Sequence, residues 1–177
     1  MLNMIFDTER TYTRKMTTDD YRDLCEILQD EETMYAYEHA FSADEVGMWL
    51  NRQLERYKQD GIGLWAVIDK QTGQFVGQIG LTYQDVEGTR ELEIGYLLKK
   101  KYWHQGYATE VALACKEYAF DVLKARRVVS IIRDTNYASQ RVAERIGMKP
   151  EHHFIKHYYD MDMPHVVYAI EKINTVS

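Results

Sequence analysis

Two strand patterns held apart by a full-length helix constrain this chain more than any other feature. Residues 92–98 read Leu-Glu-Ile-Gly-Tyr-Leu-Leu, and residues 127–133 read Arg-Val-Val-Ser-Ile-Ile-Arg. Both are short apolar runs rich in branched residues. Between them Ala108, Val111, Ala112, Cys115, Ala119 and Val122 fall on one face of a helix over 106–123. A strand, a helix and a second strand make a β-α-β unit with parallel strands and a right-handed crossover. The preceding strands cannot be joined this way. Residues 65–68, 75–83 and 92–98 are separated by the turn clusters 69–73 and 85–89, so they pair antiparallel. The chain must build a mixed α/β sheet, mostly antiparallel, with one parallel pair.

The other elements attach to that sheet. Residues 8–16 form a first strand. Thr17, Thr18, Asp19 and Asp20 supply caps, and Tyr21, Leu24, Cys25 and Leu28 keep helical spacing. Ser42-Ala43-Asp44-Glu45 is a capping box, followed by Val46, Trp49, Leu50, Leu54 and Tyr57 on a helix reaching about residue 60. Gly77 and Gly80 inside a strand predict bends or close backbone approach. Residues 136–146 form a short helix ended by Gly147, and 148–155 and 163–170 are the last strands. The predicted order is β-α-α-β-β-β-α-β-α-β-β. Only two prolines, Pro150 and Pro164, occur, and no linker or repeat interrupts the chain, so 1–177 reads as a single domain.

Composition narrows the function. Acidic residues outnumber basic ones 28 to 22, a net charge of -6. A protein that neutralises phosphates along a duplex shows the opposite balance, which argues against a nucleic-acid partner. The opening MLNMIFDTER reaches Asp7 without a basic or long apolar run, and no stretch approaches the ~20 apolar residues of a membrane span. A cytoplasmic protein without a membrane partner is expected. Cys25 and Cys115 form neither a disulfide framework nor a Cys-x-x-Cys pair. His152, His153 and His157 lack the spacing of a metal site, so no metal is expected.

The stretch Tyr102-Trp103-His104-Gln105-Gly106-Tyr107-Ala108-Thr109-Glu110 sits between strand and helix. A helix start presents unpaired N–H groups and partial positive charge to an anion. Gly106 lets the backbone turn tightly, small Ala108 allows close approach, and Lys99, Lys100 and Lys101 add charge. The segment is neither a Walker loop nor a dinucleotide fingerprint. By itself it reads equally well as a tight connection beside a solvated lysine run.

Trp103-x-x-Gly106-x-Ala108, the preceding Glu93-Ile94-Gly95-Tyr96-Leu97-Leu98 and the later Asn136-x-x-Ser139…Arg145-Ile146-Gly147-Met148 together resemble the GNAT acyl-CoA N-acyltransferase superfamily. With Thr8-Glu9-Arg10…Arg14 and Thr17…Asp20, the pattern resembles its ribosomal-protein N-terminal acetyltransferase branch. The resemblance runs over about 8–170. It implies a twisted sheet with helices on both faces and the parallel pair at the cofactor site. The cofactor implied is acetyl-CoA. The resemblance assigns its diphosphate to the backbone of His104, Gln105, Gly106, Tyr107, Ala108 and Thr109, and its pantetheine arm to the strand edge at Tyr96, Leu97 and Leu98. Asn136 would contact the cofactor or the reacting centre; it also reads as a helix N-cap.

The chemistry implied is transfer of an acetyl group to a primary amine, on a protein N-terminus or a small molecule, without a covalent intermediate. Glu93, a carboxylate in an apolar strand, is the candidate base, though alternation with Leu92 and Ile94 equally allows a solvent-facing residue. Ser139 is the candidate acid, with local backbone bonding as its plainer role. Many members carry a tyrosine acid seven positions after the asparagine; Ala143 stands there instead. That departure sustains a rival, a non-catalytic module binding acyl-CoA or a peptide. Tyr12, Tyr96, Tyr158 and Tyr159 are candidate cleft walls or strand aromatics. Residues 17–60 carry 12 acidic and 4 basic residues, and 99–127 carry 7 basic and 3 acidic. This predicts an acidic acceptor side attracting a cationic amine, opposite a phosphate-holding end. A homodimer is left open.

Overall fold

Connection length decides how the strands pair. The computed structural model describes residues 4–37, 39–158 and 161–173. Its strands are β1 (Met4–Asp7), β2 (Thr11–Arg14), β3 (Leu64–Asp69), β4 (Phe75–Val86), β5 (Thr89–Leu98), β6 (Arg127–Arg133), β7 (Lys149–Tyr158) and β8 (Met161–Glu171). Its helices are α1 (Tyr21–Leu28), α2 (Ala43–Asp60), α3 (Tyr107–Asp121) and α4 (Tyr137–Arg145). The strands form one sheet in the order β1-β2-β3-β4-β5-β6-β8-β7. Every neighbouring pair is antiparallel except β5 and β6, which α3 joins. Between β4 and β5 lie only Glu87 and Gly88, both at positive φ (51° and 87°), as a two-residue hairpin turn demands.

β3 shows how the layers assemble. All six of its residues are buried, because both faces of the strand are covered. Leu64, Ala66 and Ile68 pack with Leu24, Ile27, Val46 and Leu50 of α1 and α2. Trp65 and Val67 point the other way, into a core with Val111, Cys115 and Ala119 of α3 and Val142 of α4. Polar pins fix α2 to β3: Gln53 accepts the Leu64 N–H at 3.1 Å, and the Tyr57 hydroxyl donates to the Leu64 carbonyl. Gly77 and Gly80 lie where a Cβ would run into the backbone of Leu97 and Gly63, the close approach expected of them. Among the described residues no helix is long and apolar enough to cross a membrane.

Two elements depart from the sequence reading. The strand expected over 8–16 is β2, and an unexpected strand, β1, precedes it to make a hairpin closed where the Thr8 N–H donates to the Thr11 carbonyl at 2.8 Å. β1 has four residues and no completed alternation, so periodicity could not reveal it. The last two strands are longer than expected and form a hairpin with Tyr158 opposite Met161. Their polar tips, Lys156-His157 and Asp162, carry no apolar pattern.

Candidate active site

The parallel pair has the shortest ladder in the sheet. β5 and β6 are in register only at Glu93 opposite Val129. Beyond that point side chains stand where ladder bonds would continue. The Ser130 hydroxyl donates to the Ile94 carbonyl at 2.9 Å, and the Ile131 N–H donates to Glu93 Oε2 at 2.8 Å. The strands splay, and two cavities open around the C-terminal half of β5. The larger, about 480 Å³, lies toward α2. The smaller, about 120 Å³, is walled by β5 and β6. Glu93, Gly95, Tyr96 and Leu97 line both.

Glu93 thus sits at the fork of the sheet rather than on a plain solvent face. Burial pushes its pKa up to about 7, against the opposing pull of the Ile131 N–H, Lys156 and Arg56. A carboxyl that is half ionised near neutral pH and open to a cavity can take a proton there.

Across the smaller cavity stand Asn136 and Ser139. Asn136 caps α4, its side-chain oxygen accepting the Ser139 N–H at 3.3 Å. The Tyr96 phenol donates to Ser139 Oγ at 3.2 Å, and burial raises its pKa to about 12. Because Oγ accepts from Tyr96, the serine's own proton is free to point elsewhere. The sequence offers Tyr96 as a strand-edge residue and a candidate cleft wall; its phenol also gives Ser139 a partner that no spacing rule reveals. Ala143, where the resemblance leads one to expect a tyrosine, is buried in the core.

The loop 104–109 lines neither cavity, but it is built for backbone contact. His104 and Gly106 both have positive φ (60° and 81°), and Gly106 begins α3 with no side-chain cap. The first-turn N–H groups are therefore not taken by a capping side chain, unlike those of α2, where Ser42 and Glu45 form the expected box. Arg10 clamps the loop from the β1–β2 hairpin. It donates to the Gln105 carbonyl at 2.9 Å, pairs with Glu110 at 2.8 Å and stacks on the Tyr107 ring at 4.0 Å. Thr8 also donates to Glu110, at 2.6 Å. This gives the Thr8-Glu9-Arg10 segment a task. The Tyr107 side chain is structural: it is buried and donates to Asp69 at 3.0 Å. His104, Gln105, Ala108 and Thr109 lie along the same turn, with His104 and Gln105 exposed.

The expected charge separation is corrected. Lys99 is buried and bridges Asp23 at 2.7 Å and Glu26 at 2.9 Å, and Lys100 pairs with Glu32. Two lysines of the run are therefore taken up by acids of the early segment rather than left for a ligand. Among the described acidic residues of 17–60, Glu45 alone lines the larger cavity. The cations Arg52 and Arg56 line it too. Their four-residue spacing was visible in the sequence, but charges at that spacing read as a solvated helix face.

Tyr12 packs beside the α1–α2 core, Tyr96 lines both cavities, and Tyr159 lies outside the described residues. Among the described residues no group of three or more His, Cys, Asp or Glu side chains could hold a metal ion.

With this geometry in hand, similarity to known proteins is informative. The acetyltransferase (GNAT) domain family matches residues 10–149. The protein YkkB of Bacillus subtilis (strain 168) is 34% identical over 168 residues, which span 94% of this chain and 95% of YkkB. A GNAT-family acetyltransferase structure from Bacillus anthracis matches with a TM-score of 0.78 at 27% identity, covering 93% of this chain and 96% of that one. The structure of RimL, a ribosomal L7/L12 α-N-protein acetyltransferase in complex with coenzyme A, shares the fold. Its TM-score is 0.78 at 15% identity, over 96% of this chain and 98% of its own.

Proposed function

Since the chain belongs to the GNAT acetyltransferase family, we propose that it moves an acetyl group from acetyl-CoA directly to a primary amine. Acetyl-CoA supplies an activated acetyl thioester; the chain holds it and manages the protons. The uncapped start of α3 fits a diphosphate, with the backbone of His104 to Thr109 as its cradle. The β5 edge at Tyr96, Leu97 and Leu98, released from β6 by the splay, fits an extended amide-bearing arm. That RimL, which shares the fold, is in complex with coenzyme A supports coenzyme A as the ligand.

Glu93 takes the proton that the ammonium must lose, directly or through a water, freeing the nitrogen lone pair. A backbone N–H of the β5 edge polarises the acetyl carbonyl. Ser139, with Tyr96 behind it, returns a proton to the leaving sulfur, so nitrogen gains the acetyl group and sulfur the hydrogen. Neither cysteine is needed as a carrier. Cys115 is fully buried, and burial raises its thiol pKa, away from the thiolate a nucleophile requires.

The observation carrying this reading is Glu93, a carboxyl with a pKa of about 7 lining both cavities at the fork. The test is thiol release from acetyl-CoA against a panel of small amines and N-terminal peptides. Turnover should appear with at least one acceptor, and Glu93→Gln should lower it by roughly 10²-fold or more while coenzyme A still binds. Tight coenzyme A binding without thiol release from any acceptor would instead support the non-catalytic binding module.

A further inference from the structure

The face of α2 turned to the larger cavity carries Glu45, Met48, Trp49, Arg52 and Arg56 at three- and four-residue steps. Neither arginine forms an ion pair among the described residues. Arg56 is half-buried and donates to the Gln53 amide oxygen at 3.3 Å. Taking a guanidinium partly out of water without a carboxylate costs free energy. Burial first, and the like charge of Arg52 second, lower the pKa of Arg56, against the opposing pull of Glu93 and Asp60.

The cavity's own carboxylates take their hydrogen bonds from other groups. Glu45 takes the Ser42 N–H at 3.0 Å and meets His39 at 3.1 Å, and Glu93 takes the Ile131 N–H at 2.8 Å. Lys156 and His157 reach the same cavity from β7, and His157 is paired with Asp162. An aromatic wall completes it: Tyr37 and Phe41 meet Trp49 edge-on, with centroids 6.0 and 5.8 Å away.

Resting on the acetyl-transfer reading, we propose that the acceptor is an amino acid with an apolar or aromatic body. Its carboxylate is held by Arg52 and Arg56, while its amine faces Glu93. Two guanidiniums four residues apart on a helix are neighbours and offer paired donors that match a carboxylate. Cations at one part of the cavity and a carboxylate at another give the charge pattern a zwitterion complements. The aromatic wall takes the side chain.

The test uses matched acceptors: phenylalanine, leucine, methionine and tryptophan, each beside its amide and its decarboxylated amine. Thiol release should favour at least one acid over its partners by tenfold or more in kcat/KM. Arg52→Gln and Arg56→Gln should each raise the acceptor KM about tenfold and leave the KM for acetyl-CoA in place. Arg56→Lys, which keeps charge without the fork, should recover part of the loss. Equal use of acids and partners, or variants that raise the acetyl-CoA KM instead, would overturn the proposal. Calorimetric titration of the same acceptors into coenzyme A-bound protein separates the two readings. A carboxylate preference lost in the arginine variants, without any thiol release, would sink acetyl transfer and keep the anion site; no preference in binding would sink the anion site.

Discussion

At neutral pH the Glu93 carboxyl is poised between its two forms, and both forms have consequences. Its pKa of about 7 against an ordinary 4.5 means the folded chain keeps a proton that the unfolded chain releases. The protonated form therefore favours folding fully below about pH 4.5, and that contribution is lost as pH climbs through about 7. A displacement of this size corresponds to at most roughly 3 kcal/mol, less where cleft water screens the charge. Melting wild type and Glu93→Gln between pH 4.5 and 8 should show the variant gaining over wild type until about pH 7, then levelling. A gap that stays constant with pH would remove the perturbed carboxyl from the account. Activity should run the opposite way, kcat/KM rising through about pH 7 as the base ionises, with that limb absent in the variant. Ser139→Ala should lower kcat and spare coenzyme A binding; an unchanged kcat would leave Ser139 only its place in the first turn of α4. A lone acid in an apolar strand can be picked out of a sequence. Arg52 and Arg56 could not, because what distinguishes them is a place on the cavity wall with no ion pair among the described residues.

Elements were legible wherever chain length dictates pairing. Short turns force hairpins, and a helix between strands forces a parallel pair, so β3 to β6 follow from spacing. The splay does not, since it depends on Glu93 and Ser130 side chains replacing ladder bonds. The hairpin entering β2 was missed for the same kind of reason: its signal is a threonine turn rather than a period. That hairpin matters because Arg10 leaves it to clamp the loop before α3. Gly106→Ala tests the clamp and the loop together. The position has φ 81°, and an added Cβ would lie 3.4 Å from Arg10 Nη2. A non-glycine residue there costs about 1 kcal/mol or more. The variant should melt a few degrees lower and bind coenzyme A several-fold more weakly, while thiol release at saturating acetyl-CoA stays near wild type. Undiminished coenzyme A affinity would place the diphosphate elsewhere.

For the whole molecule, the net charge of -6 conceals an acidic and a basic segment that meet where Lys99 and Lys100 pair with Asp23, Glu26 and Glu32. Buried Lys99, with Asp23 and Glu26, ties α1 to the end of β5. A sequence shows such charges but not their pairing, which arises only once the sheet brings α1 beside residue 99. On the proposed reading, the cofactor side depends on backbone groups and local geometry more than on a field of lysines. Recognition by backbone and strand edge should be specific for an arm that bears both a diphosphate and an extended pantetheine. Coenzyme A carries both, whereas ATP and NAD carry phosphates without the arm. A ligand bound only by the native state at 100 times its Kd adds about 2.7 kcal/mol of stability. For a domain of this size, that is a rise of roughly 5–10 °C in Tm. Coenzyme A at that saturation should produce such a rise in wild type and equally in Glu93→Gln, whose carboxamide touches the proton and not the arm. ATP and NAD at the same concentration should give little. If either nucleotide matched coenzyme A, the phosphates alone would be recognised, and the open edge of β5 would lose its assignment.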